Sequence, residues 1–144
     1  MRNETTERES LRLVELGLDP ATADLQLMTF DPEPKPLKKG EVVYLDGGGR
    51  RKQTAPQIKT IPQWTMSALF DILPNYIEID DKIKSQLHID KTQVSYIALI
   101  EGDGYKIKKY TFQAQYKDMM KNFYHTVIWL IESGFLKDKC VGGR

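Results

Sequence analysis

The sequence predicts an α+β domain: a small antiparallel sheet of three or four strands, two main helices packed on one of its faces, and an additional N-terminal helix. Three observations carry this. Residues 94–101 and 105–112 are two apolar-rich runs joined by Gly102-Asp103-Gly104, the signature of a hairpin. Residues 61–73 and 116–133 repeat apolar side chains at helical spacing. Thr6 and Glu9 stand three apart before a third helical stretch, the spacing of a capping box.

The bulk numbers agree with one domain over residues 1–144. A chain of 144 residues buries roughly two thirds of the surface its unfolded form exposes. Apolar residues at 40% and charged residues at 28% match a globular protein and argue against a disordered one. A net charge of +1 excludes a globally basic nucleic-acid binder, though not a local patch. The single cysteine, Cys140, has no partner for an internal disulfide. No run approaches the ~20 apolar residues that cross a bilayer. The charged start, Met1 to Glu9, lacks the apolar core of a signal peptide. The expected location is the cytoplasm of a bacterial host, without membrane contact.

Along the chain, Thr6 opens a helix whose apolar side is Leu11, Val14 and Leu18, and Gly17 suits its C-terminal cap. Asp19-Pro20 starts a second helical turn. Residues 25–30 fit a strand or a continuation of that turn. The stretch 31–60 contains Pro32, Pro34 and Pro36, a short strand candidate at Glu41–Leu45, and Gly47, Gly48 and Gly49. It reads as a flexible loop. Thr60 then caps the next helix, with Pro62 in its first turn, Gln63 completing a capping box, and Pro74 ending it. Tyr76–Ile79 and Leu87–Ile89 alternate as strands, and residues 94–100 are apolar on both faces, as in a central strand. The inward set of the return strand changes parity between Ile107 and Tyr110, which predicts a bulge. The last helix runs from about Tyr116 to Ser133. Gly134 caps it, Phe135 folds back on its last turn, and a flexible tail follows at 137–144.

Candidate chemistry is sparse. Gly47, Gly48 and Gly49 with Arg50, Arg51 and Lys52 lack the spacing and following helix of a phosphate loop. They read as a solvated loop, or as an anion or weak nucleic-acid contact. His88, His125 and Cys140 show no metal-ligand spacing. Glu78, Asp80 and Asp81 lack the order of a calcium loop. Cys140 and the serines have no base-and-orienter pattern. No catalytic, cofactor or metal residues are assigned, and the chain is expected not to be an enzyme. Basic residues concentrate in 31–60: Lys35, Lys38, Lys39, Arg50, Arg51, Lys52 and Lys59, against Asp31, Glu33, Glu41 and Asp46. A salt-sensitive nucleic-acid interaction through loop 35–59 is therefore the alternative function.

One surface stands out on the last helix. Trp129 lies about 160° from the apolar arc centred near Phe123 and Val127. It shares that side with Asn122, His125 and Glu132. Either another element of the chain covers it, the N-terminal helix or the long loop, or it meets a protein partner or a second copy.

Residues 13–24, 61–74 and 127–134 together resemble a family of small proteins without assigned activity, carried in prophages and other mobile elements of gut Bacteroidales. The resemblance implies a bacterial mobile-element context and transfers no residue roles. The leading function is a non-catalytic accessory or protein-interaction module of a phage or mobile element.

Overall fold

The structure is a computed structural model that describes residues 2–30, 58–102 and 104–136. The chain divides into two compact units, Gln26–Ile61 and Met1–Leu25 with Pro62–Arg144. β1 (Leu25–Phe30) and β2 (Ile58–Gln63), most of whose residues fall in the smaller unit, form a two-stranded sheet. Residues 25–30 are thus a strand. Most of the expected loop at 31–60, the candidates Arg50, Arg51 and Lys52, and the tail at 137–144 lie outside the described residues; 58–60 belong to β2.

In the larger unit, α1 (Glu7–Glu15) begins at the expected capping box. The Thr6 hydroxyl accepts from the Glu9 N–H at 3.1 Å, and the Glu9 carboxylate accepts from the Thr6 N–H at 2.9 Å. The helix buries Glu9, Ser10 and Leu13, while Leu11 and Val14 are exposed. This corrects the predicted apolar side. Leu13 is the inward residue of the helix, and Leu18 joins it because Gly17, at φ 98°, turns the chain back so that the Leu18 N–H donates to the Leu13 carbonyl at 3.0 Å. A 3₁₀ turn, Pro20–Thr22, follows with Asp19 as its cap.

The first main helix, α2 (Met66–Ile72), starts later than predicted. Thr65, not Thr60, is its N-cap and accepts from the Ala68 N–H at 3.2 Å. Thr60, Pro62 and Gln63 are strand residues. Two long-range interactions decide this boundary. Trp64 is completely buried, its indole N–H donating to the Thr22 hydroxyl at 2.9 Å. Asp24 accepts from both the N–H and the hydroxyl of Thr65.

Four antiparallel strands follow in the order β3 (Tyr76–Glu78), β4 (Lys84–Ile89), β5 (Val94–Gly102), β6 (Tyr105–Ala114). The central position of β5 and its hairpin with β6 agree with the sequence reading. Ile77, Leu87, Val94 and Tyr96 share the covered face with the core side chains of α2 and α3 (Met119–Glu132). The Tyr96 hydroxyl donates to the Pro74 carbonyl at 2.7 Å, and burial pushes its pKa up. On the other face Tyr76, Leu99 and Tyr110 are exposed. The last helix also starts later than expected: Asp118, not Tyr116, leads into it, accepting from the Met120 N–H at 3.0 Å. Its end matches the prediction. Gly134 has φ 77°, and the Phe135 N–H donates to the Leu130 carbonyl at 2.9 Å.

Candidate functional site

The β-bulge lies slightly further along β6 than the sequence predicts. Tyr96 pairs with Phe112 and Ile97 with Tyr110, so Thr111 is the extra residue. Its consequence is local and large. Side chains alternate between faces, so one inserted residue turns every later side chain over. Phe112 and Ala114 thereby join the covered face, beside Tyr96 and Val94. The Thr111 hydroxyl is bonded to that of Ser85, two strands away, which anchors the bulge.

Phe112 is the floor on which Trp129 stacks, with ring centroids 4.6 Å apart and planes 20° apart. Tyr96 and Phe135 complete the surroundings at 6.0 and 5.4 Å. The element over Trp129 is therefore the sheet and the turn after α3. Trp129 remains only partly buried. It lies on a ridge of α3 with His125, Ile128 and Glu132, spaced to share one side of a helix. This ridge, Phe112, Gln113, Ala114 and Tyr116 line an open groove of about 450 Å³. One wall belongs to β6, the outermost strand of its sheet.

His125 and Trp129 thus both line this groove, whereas Asn122 does not. Asn122 is 0% exposed, which corrects its placement on the surface. Its side chain faces the chain's own backbone: Oδ1 accepts from the Tyr116 N–H at 2.6 Å, and Nδ2 donates to the Tyr116 carbonyl at 3.1 Å. A primary amide can satisfy both groups of one peptide residue. Asn122 therefore fixes the turn between β6 and α3 and positions Tyr116. The Tyr116 ring stacks on His125 at 4.7 Å, and the Lys121 ammonium lies 5.5 Å from the same ring. Sequence reading missed Phe112, Tyr116 and Ile128 as parts of the groove. The parity change in β6 was the available signal for Phe112.

Burial holds the His125 imidazole below its ordinary value, and the Lys121 charge acts in the same direction; Glu9 opposes them weakly. The folded protein therefore binds this proton less readily than the unfolded chain. The His125 contribution to stability should decline as pH falls through about 6.5, the unfolded-state value, towards the lower folded-state value. Proton NMR titration is expected to give a His125 midpoint below 6.5, rising in Lys121→Ala. A midpoint at or above 6.5 in the wild type would contradict the burial argument.

A second concavity, about 520 Å³, opens on the uncovered sheet face among Tyr76, Lys84, His88, Ile97, Leu99 and Lys108. Among the described residues, no group of three or more His, Cys, Asp or Glu side chains is placed to hold a metal. No described helix is long and apolar enough to cross a membrane. No protein-family model, curated protein or solved structure matches this chain.

Proposed function

We propose that the chain is a non-catalytic, protein-binding accessory module of a phage or mobile element, and that the groove between β6 and α3 is its binding site. The mobile-element context rests on the sequence resemblance. The binding role rests on one observation: an outermost strand runs beside a groove whose partly buried Phe112, Ile128 and Trp129 are flanked by exposed Tyr116 and Glu132. Outermost strands present unpaired backbone N–H and C=O groups on alternate residues. A neighbouring groove supplies pockets for the side chains of an added strand, the combination used in strand-addition recognition.

A peptide-display selection on the folded chain, followed by amide mapping, tests this. Enriched peptides are expected to shift amide signals in 106–116 and on the 125–132 ridge. Enrichment of peptides that map elsewhere, or of none, sinks the reading. The concentration of charge in 35–59 supports a second reading, weak nucleic-acid binding through Arg50, Arg51 and Lys52. Replacing these three with alanine should then weaken binding to all sequences alike and flatten its salt dependence.

A further inference from the structure

We infer that the occupant of the β6–α3 groove is an extended, acidic peptide segment that adds to β6 as a further strand. The inference rests on the proposed binding role and deepens it by naming the ligand chemistry.

Strand β6, Tyr105–Ala114, carries Lys106, Lys108 and Lys109 and no acidic residue. Lys117 and Lys121 continue this charge into the turn and the start of α3. Among the described residues only Lys106 of these five has a carboxylate partner, Glu101 at 3.7 Å. The nearby Asp118 is engaged by Arg2 at 2.7 Å.

Lysines on an outermost strand commonly prevent unwanted pairing, and here they do so selectively. A second copy would bring its own lysine-bearing β6 alongside, and like charges on adjacent strands repel. A neutral strand would gain no charge pairing from these ammonium groups, which stay in water on the uncovered face. A strand bearing Asp or Glu converts the same lysines into cross-strand pairs, so one set of charges attracts one class and rejects the others.

The faces of β6 define the ligand further. Lys106 and Lys108 point to the uncovered face with their partners Glu101 and Leu99, and Phe112 to the covered face with Tyr96. A strand laid beside β6 alternates in the same way. Its groove-side residue near Phe112, Ile128 and Trp129 is apolar or aromatic, and its residues beside Lys106 and Lys108 are acidic; Lys109, paired with Ala98, is on the covered face. The predicted ligand is a segment mixing carboxylates with one or two large apolar side chains. A single-stranded nucleic acid would also meet the lysines. Its phosphates only accept hydrogen bonds, however, and leave the outward C=O groups of β6 unmatched, whereas a peptide backbone satisfies both kinds.

The experiment uses the full chain and two capped peptides of about ten residues, a usual strand length at its upper end. One alternates Glu with Val and carries a central Phe; the other has Lys for each Glu. Binding is followed by anisotropy and amide mapping, with a short oligothymidylate as third probe. The Glu peptide is expected to bind more tightly than the Lys peptide by about tenfold or more, a free-energy difference of about 1.4 kcal/mol. It should perturb amides 106–114, and Lys106→Glu/Lys108→Glu, both on the uncovered face, should reverse the preference. Both lysines are exposed, so the fold is retained. Equal binding of the two peptides at β6 leaves the binding role standing and overturns the acidic ligand. Failure of both peptides to bind overturns the binding role itself. An oligothymidylate that perturbs β6 while the Glu peptide does not, or a wild type that dimerises through β6 in sedimentation, overturns the inference in favour of that occupant.

Discussion

Trp64→Ala should lower folding stability by about 3–5 kcal/mol, the cost of truncating a large core side chain. Trp64 is completely buried, and it sits where the N-terminal segment, the 3₁₀ turn and the entry to α2 meet. The Thr5 N–H donates to its carbonyl at 2.8 Å, and its own N–H donates to the Thr5 hydroxyl at 3.1 Å. Alanine retains those backbone bonds, so the loss measures the indole: its packing and its bond to Thr22. Trp64→Phe keeps most of the volume and removes the bond, and should cost less than Trp64→Ala. Urea unfolding of the three proteins decides the matter. A loss below about 1 kcal/mol for Trp64→Ala would show that this side chain does not anchor the core.

Asn122→Ala comes next in size, at about 2–4 kcal/mol. It leaves the N–H and the C=O of Tyr116 without their partners, each costing roughly 1–3 kcal/mol where water does not reach. Its second effect separates it from a simple core lesion. Tyr116 is a wall of the groove, stacked on His125 and held in place by Asn122. Under conditions where the variant remains folded, the Glu peptide should bind it more weakly than the wild type. A variant as stable as wild type would mean that the Tyr116 backbone finds other partners. A destabilised variant with unchanged peptide binding would separate Tyr116 from the site.

Trp129 shows how far sequence reasoning reached towards the site and where it stopped. Helical spacing placed it away from the Phe123–Val127 arc, next to His125. Spacing alone cannot say what lies opposite. The answer depends on Phe112, which reaches the covered face only because Thr111 is an extra residue in β6. A single inserted residue inverts a whole face, so an error of one or two positions in locating the bulge changes which side chain meets the helix. Asn122 was misplaced for a related reason. A polar residue on the side away from the apolar arc ordinarily faces water, and only the path of the chain through Tyr116 buries it against an unpaired backbone.

Features held by bonds between near neighbours were legible from the amino acids alone. These include the Thr6–Glu9 box, the Asp19 cap, the reversals at Gly17 and Gly134, the β5–β6 hairpin, and hence the α+β class. Each depends on residues within a few positions of one another, or on a turn joining adjacent strands, so the local sequence contains both partners. The start of α2 was different, because two local caps competed. Thr60 with Gln63 forms a sound capping box on paper, and Thr65 prevails because Asp24 and the buried Trp64 fix the chain there. The tertiary structure alone decided that boundary, the surroundings of Trp129 and the burial of Asn122, since each rests on a partner set by the packing of separate elements rather than by spacing along the chain.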